Sequence, residues 1–230
     1  MKIGILQTGD APEALRGQHG EYPDMFERFL GGRGFAFARW RVVGMEFPAS
    51  VHDCDGWLIT GSRHGVYEDH PFIAPLEQFI RDAFAAGVPV AGVCFGHQIM
   101  AQALGGKVEK FKGGWATGAS EYDFDGQTLR LNAWHQDQVI EPPPGATTVA
   151  TSPFCEYAGL AYGKTGLSVQ AHPEYGADFI AGLIEHRGRG VVPDHQLAEA
   201  SARLATPLDS GHLADRLTEF FRAAAPAAAR

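Results

Sequence analysis

The chain has 230 residues, 45% of them hydrophobic and 20% charged, which is the composition of a globular protein able to bury a substantial core. Its formal net charge of −8 argues against nucleic acid or an anionic membrane surface as the main partner. The three cysteines form no CxxC pair or even disulfide framework, and no apolar run approaches the roughly 20 residues that span a bilayer, so we expect a cytoplasmic protein with reduced thiols.

The N-terminal stretch MKIGILQTGD lacks the apolar core of a signal peptide and reads instead as a first buried strand, KIGILQ. Over the first 106 residues, strand-like and helix-like segments alternate. They are EYPDMFERFLGG (helix), FAFARWRVV and GWLIT (strands), PFIAPLEQFIRDAFAAG (helix) and VPVAGV (strand). This alternation predicts βαβ units, and therefore an α/β fold whose mostly parallel central sheet is covered by helices on both faces.

From residue 107 to about 170 the segments are strand-like with tight turns. Asp125-Gly126 lies between two alternating runs and predicts a hairpin in an antiparallel β insert. GLSVQAHPEY predicts a last strand, followed by three helices at about 177–187, 194–205 and 209–224. The alanine-rich tail AAAPAAAR is expected to fray.

The stretch AGVCFGHQIMAQALGG places Cys94 between two glycines, after an apolar strand and before a helix-like segment. This G-x-nucleophile-x-G pattern is typical of a sharp turn that exposes a nucleophile at a helix N-terminus, where a thiolate is favoured. Cysteine is also among the residues most often buried, and glycine is common between strands and helices. The motif alone therefore leaves catalysis and packing equally open.

A cysteine nucleophile needs a histidine, and that histidine needs an orienting group. The segment QAHPE supplies His172 and, two residues later, Glu174, again after an apolar strand. The chain has ten histidines, so one alone would carry little weight. In the segment ITGSRHG, Gly61 and Ser62 offer backbone N–H groups that, with that of Phe95, could hold an oxyanion.

The segments GVCFGHQIMAQALGGKV, HQDQV and SVQAHPE, in this order and spacing, resemble the class I (triad) glutamine amidotransferases. This domain occurs in GMP synthetase, CTP synthase and carbamoyl-phosphate synthetase, and in free-standing proteins. The resemblance implies an amidotransferase-like domain over 1–187, with 188–230 as a C-terminal helical extension packed on it. The extension could cover the site or serve a homodimer.

The resemblance also implies the chemistry: Cys94 attacks the side-chain amide of glutamine or of a γ-glutamyl compound, a γ-glutamyl thioester forms, and ammonia and glutamate are released. His172 would act as base and acid, Glu174 would orient it, and Gln98 would contact the substrate. The segment WHQDQV would hold the ends of the substrate, through Trp134, His135, Gln136 and Asp137. No cofactor is implied, and the histidines show no metal-ligand spacing.

Four positions depart from the family pattern, and two of them, Ala171 and Trp134, leave strict glutamine specificity open. Ser62-Arg63 replaces the second glycine and the proline of Gly-Gly-Pro, Ala171 replaces a common phenylalanine, and Trp134 replaces a small polar residue.

No ammonia-consuming domain is recognisable in the sequence. The chain could therefore serve a separate synthetase subunit that accepts ammonia, or act alone as the plant γ-glutamyl peptidases do. A catalytically silent binding or regulatory protein is the remaining alternative.

Overall fold

The computed structural model describes residues 1–224; most of the alanine-rich tail predicted to fray lies outside the described residues. The strands are β1 (Lys2–Leu6), β2 (Ala36–Trp40), β3 (Gly56–Ile59), β4 (Val90–Val93), β5 (Lys107–Lys110), β6 (Ala116–Phe124), β7 (Gln127–His135), β8 (Asp137–Glu141), β9 (Thr147–Thr151), β10 (Gly159–Tyr162) and β11 (Gly166–Val169). The helices are α1 (Glu13–His19), α2 (Tyr22–Phe29), α3 (Ile73–Ala85), α4 (Phe95–Ala103), α5 (Ala177–Leu183), α6 (Asp194–Ala202) and α7 (Ser210–Ala224).

Nine strands form one mixed sheet in the order β2-β1-β3-β4-β11-β10-β9-β6-β7. The strands from β2 to β11 run parallel, and those from β10 to β7 continue the sheet in antiparallel pairing. Strands β5 and β8 form a separate antiparallel pair. The α/β fold class and the antiparallel strands predicted from the sequence are therefore confirmed.

Successive residues of the parallel strands face opposite sides of the sheet, so each strand contributes side chains to two cores, one on each face. Helices α2 and α7 cover one side, and α3 and α4 cover the other. The first core contains Ile3, Ile5, Leu58, Val93, Val169, Phe26, Leu217 and Phe221. The second contains Leu6, Trp57, Ile59, Val90, Leu76, Ile80, Ile99 and Met100. Helices on both faces leave the strand ends as the open edge of the parallel sheet.

Several element boundaries differ from those predicted. The second strand ends at Trp40 and is followed by a 3₁₀ turn, Val42–Gly44. Helix α1 was not predicted, because its seven residues bury only Leu15 and carry no clear apolar stripe. Strand β11 ends at Val169, before the His-Pro-Glu segment. The hairpin prediction is confirmed: Asp125 and Gly126 join β6 to β7 with φ of 51° and 89°.

The C-terminal segment packs on the same sheet. Helix α5 ends at Leu183 and continues as a π-helical turn, Ile184–Gly188. Helix α6 packs on β6, and α7 buries Phe221 against the parallel strands. None of the helices in residues 1–224 is both long and apolar enough to cross a membrane.

Candidate active site

The carboxyl ends of β3, β4 and β11 meet at one edge of the sheet, and each leads directly into a predicted site segment. Gly61 follows β3, Cys94 follows β4, and His172 follows β11. A cavity of about 370 Å³ opens at this edge, and both Cys94 and His172 line it. This is where ligands of open α/β sheets bind.

Cys94 occupies a strained turn between β4 and α4. Its φ of 53° and ψ of −103° are rare for a residue with a side chain. The flanking glycines allow the close packing: a Cβ at Gly92 would meet the carbonyl oxygen of Gly96, and one at Gly96 would meet that of Ile59. The pattern G-x-C-x-G thus has a steric basis in the fold, and the turn places Cys94 at the N-terminus of α4.

His172 is held in place by contacts on several sides. Its backbone N–H donates to the Asn132 carbonyl at 2.8 Å, and its ring stacks on Tyr175 with centroids 4.0 Å apart. Its Nδ1 is 2.8 Å from Oε1 of Glu174, whose side chain is fully buried. Because Nδ1 is engaged by the carboxylate, Nε2 is the ring nitrogen left for chemistry.

The charges around His172 favour the imidazolium. Burial disfavours that charged form, but negative charge at Cys94 and at Glu174 outweighs burial and raises the pKa of His172 well above its ordinary value. The two side chains are therefore coupled: an anion at Cys94 stabilises the imidazolium of His172.

Replacing Cys94 with serine should lower the pKa of His172. The serine hydroxyl stays neutral, so the imidazolium loses one of the two anions that stabilise it, and its titration midpoint should move down by roughly one to three pH units. Titration of the ring by NMR in the wild type and in Cys94→Ser measures this. Cys54→Ser serves as the control, and an unmoved midpoint in Cys94→Ser would refute the coupling between the two side chains.

The three predicted oxyanion residues lie around the thiol. A Cβ at Gly61 would be 2.9 Å from Cε1 of His172 and 3.8 Å from Cβ of Cys94, so this loop passes close to both side chains. The Gly61 carbonyl accepts from the Thr8 hydroxyl at 3.0 Å, and the Ser62 hydroxyl accepts from the backbone N–H of His64 at 3.2 Å. Phe95 is the first residue of α4, so its N–H has no intrahelical acceptor.

The predicted substrate residues line the cavity beyond Cys94. Gln98 is almost fully buried, and its Nε2 donates to the carbonyl of Asp137 at 2.8 Å and to Oε1 of Gln170 at 3.0 Å. The Gln136 side chain donates to the Phe111 carbonyl at 3.3 Å. The Asp137 carboxylate accepts from the Tyr67 hydroxyl at 3.0 Å.

His135 and Trp134 differ in their environment. Burial, reinforced by the charge of His172, lowers the pKa of His135 to about 3, so this ring is neutral at physiological pH. Within residues 1–224, its Nε2 is buried without a hydrogen-bond partner, while Nδ1 lies 3.2 Å from the Asp137 carbonyl oxygen. Trp134 packs beside Trp115 at 6.3 Å and forms part of the cavity wall.

Several residues of the cavity wall were not predicted from the sequence. Tyr22 and Tyr175 lie on the side of His172, and Arg187 reaches the wall from the π-helical turn. The folded chain also gathers His64, Glu68 and His70, whose nitrogen and oxygen atoms lie within 4.8 Å of one another, and His64 and Glu68 line the cavity. These residues come from separate elements or an irregular loop, so no periodic pattern marks them.

The other two cysteines have the packing environment expected for them. Cys155 is buried in the core, and burial raises its pKa to about 12. Cys54 is also buried, and burial raises its pKa as well. A raised pKa keeps a thiol neutral and poorly nucleophilic. Neither cysteine shares the cavity with His172.

Comparison with known proteins agrees with this geometry. Residues 38–178 match the family model "Glutamine amidotransferase class-I". The chain belongs to this family. It is 30% identical to Gamma-glutamyl peptidase 4 of Arabidopsis thaliana, over 86% of this chain and 84% of that protein. It is also 38% identical to the glutamine-hydrolysing GMP synthase of Burkholderia vietnamiensis, over 51% of this chain and 24% of that protein.

Solved structures show the same fold across the whole family domain. The crystal structure of a glutamine amidotransferase from Methylobacillus flagellatus superposes with a TM-score of 0.75. The match covers all of this chain and 96% of that one, at 22% sequence identity. The shared architecture includes the C-terminal helices, which lie beyond the matched family segment.

Proposed function

We propose that this chain is an enzyme that hydrolyses the side-chain amide of glutamine, or the equivalent bond of a γ-glutamyl compound, through a thioester at Cys94. One observation carries the proposal: Cys94, on a strained strand-to-helix turn, shares a cavity with a buried His172 whose Nδ1 is bound by Glu174. Nucleophile, acid–base group and orienting group are the three parts that covalent amide hydrolysis requires.

In the first half-reaction, the Cys94 thiolate attacks the amide carbonyl carbon and a C–S bond forms. The negative charge that develops on oxygen is stabilised by backbone N–H groups of Phe95 and of the Gly61-Ser62 loop. The His172 imidazolium then gives its proton to the amide nitrogen, the C–N bond breaks, and the amine leaves. For glutamine the amine is ammonia, and the product on the enzyme is a γ-glutamyl thioester.

In the second half-reaction, His172 is neutral and takes a proton from water as the water attacks the thioester. The C–S bond breaks, glutamate leaves, and the thiolate–imidazolium pair is restored. Glu174 stabilises each imidazolium that forms and holds the ring in one tautomer. The net reaction consumes one amide and one water and yields one carboxylic acid and one amine.

The comparisons favour a stand-alone hydrolase over a subunit that feeds ammonia to a synthetase. The match to the γ-glutamyl peptidase covers most of both chains, whereas the match to GMP synthase covers about a quarter of that longer protein. The chain is also 38% identical to that GMP synthase over about half of its own length. The second candidate function is therefore to supply ammonia to a separate synthetase subunit. Both candidate functions begin with hydrolysis of a small γ-glutamyl substrate.

The proposal also covers the cellular compartment and the extent of the domain. The free cysteines at positions 54, 94 and 155 fit a reducing, cytoplasmic compartment. We assign the described part of the C-terminal extension, 188–224, to the same domain as 1–187, because α6 and α7 pack on the central sheet; residues 225–230 lie outside the described residues.

The function is tested by incubating the purified protein with glutamine and a panel of γ-glutamyl amides, and measuring glutamate release. The matched control is an α-glutamyl dipeptide with the same composition as one γ-glutamyl member. We expect release from γ-linked substrates and none from the α-linked control. No release from any γ-linked substrate, with or without proteins that co-purify from the native cell, would contradict the proposal. A large gain in glutaminase activity with a co-purified protein would favour the synthetase-subunit candidate.

A further inference from the structure

The cavity extends past His172 into a region built partly by the C-terminal segment. Tyr175 stacks on His172 and lies 6.3 Å from Tyr22, and beyond these rings the wall is formed by Leu183 and Arg187. A second cavity of about 500 Å³ adjoins this end, and Arg63, His64 and Arg187 line both cavities. Because they share these three residues, the two cavities adjoin, and together they are called the groove.

Two guanidinium groups stand where the cavities join. Among residues 1–224, neither Arg63 nor Arg187 has a carboxylate within ion-pair distance, although Arg187 is half-buried. By contrast, Arg16, which lines the second cavity, pairs with Glu21. In a chain of net charge −8, two unneutralised cations at one groove indicate a site for an anionic ligand.

Of the acidic groups that line the two cavities, Asp10, Glu13, Glu68 and Asp137, none in the described residues lies within ion-pair distance of either arginine. Asp10 is held by Arg41, and Glu68 is hydrogen-bonded to His70 at 2.7 Å. At the far end Asp137 accepts from Tyr67. Tyr22 and Arg187 both line the first cavity, and burial raises the pKa of Tyr22 to about 12, so this tyrosine is a neutral part of the wall.

The proposed reaction determines which part of the substrate lies at the Arg187 end of the groove. His172 must deliver its proton to the amide nitrogen, so the leaving amine lies on the side of His172. The glutamyl part then occupies the opposite side, towards Gln98 and Asp137. Whatever is attached to the leaving nitrogen therefore extends along Tyr175 and Tyr22 towards Arg187.

We propose that Arg187, with Arg63 beside it, binds a carboxylate carried by the leaving amine, so that the chain prefers γ-glutamyl amino acids and peptides over glutamine. A guanidinium matches a carboxylate with two parallel hydrogen bonds, which fixes the substrate as well as attracting it. Arg187 acts on substrate binding and takes no part in the bond changes. This inference rests on the proposed function, and it assigns a role to the segment that follows α5.

The test compares two substrates that differ only in the carboxylate, γ-glutamylglycine and γ-glutamylmethylamide. For the wild type, we expect kcat/KM to be at least about 10-fold higher for γ-glutamylglycine. In Arg187→Met this ratio should fall at least about 10-fold, mainly through KM, and Arg187→Lys should retain part of it. Arg189→Met, an exposed arginine two residues away, is the matched control and should keep the wild-type ratio.

A binding measurement separates this inference from the proposed function. Calorimetry with the Cys94→Ala protein, which cannot turn over substrate by the proposed route, should show tighter binding of γ-glutamylglycine than of the methylamide. Arg187→Met in that background should remove the difference. Equal affinity for the two ligands, or an equal loss for both in Arg187→Met, would overturn the inference even if hydrolysis occurs. Hydrolysis of neither substrate, nor of glutamine with or without co-purified proteins, would instead contradict the proposed function, and the binding result would still decide the role of Arg187.

Discussion

Cys94→Ala is expected to lower kcat for γ-glutamyl amide hydrolysis by at least about 10⁴-fold, because the covalent route is lost and the residual rate comes only from binding and the oxyanion site. The structure explains why the loss should be this large. Cys94 is the cysteine that shares a cavity with His172, while Cys54 and Cys155 are buried elsewhere with raised pKa values. Neither of these two thiols lines the cavity that holds His172, so neither is placed to take over.

The same argument predicts that the triad members act as a unit. His172→Ala should cost about as much as Cys94→Ala, and the double variant should lose little more than either single variant. The measurement is steady-state release of glutamate, with thermal unfolding to establish that each variant is folded. Cys155→Ala is the control for loss of a thiol. Full turnover in Cys94→Ala would show that the nucleophile is elsewhere.

Gly96→Ala is expected to reduce the free energy of unfolding by about 3 kcal/mol, a cost typical of forcing an extra methyl group into a packed interior. The added Cβ would overlap the Ile59 carbonyl. That oxygen belongs to the backbone of β3, which is paired on both sides, so relief would require the central strands or the start of α4 to move.

Thermal unfolding measures this effect, and a loss of about 3 kcal/mol corresponds to a fall in Tm of roughly 6–12 °C for a chain of this size. Gly17→Ala is the matched control, since Gly17 also lies in a helix but has nothing within 4 Å of the added Cβ. It should be neutral or slightly stabilising. An equal Tm for Gly96→Ala and Gly17→Ala would contradict the close packing at the elbow.

The fold was predictable where the sequence pattern is strong and local. Buried parallel strands are continuous apolar runs, and α3 carries its apolar residues at helical spacing, so both could be predicted from short windows. Asp125-Gly126 identified the hairpin because few residues adopt its left-handed turn. Helix α1 was missed because it is short, contains Gly17, and is stabilised by packing against α5 rather than by its own sequence.

The site residues could be predicted from the expected sheet topology as much as from the sequence motifs. Cys94 and His172 are 78 positions apart, and each was recognised because it follows an apolar strand; parallel pairing of β4 with β11 then brings these strand ends side by side. Arg187 lacks any such signal. It lies in an irregular helical turn, and its position at the cavity depends on how α5 packs, which is a tertiary property.

The central claim, a γ-glutamyl thioester on Cys94, is tested most directly by mass spectrometry of the protein quenched in acid during turnover. The account predicts an adduct with the mass of one γ-glutamyl group on the peptide containing Cys94. The adduct should be absent from Cys94→Ala, and it should disappear on further incubation without substrate. A diazoketone analogue of glutamine should label the same residue. Rapid turnover without any adduct on Cys94, or an adduct confined to Cys54 or Cys155, would contradict the account.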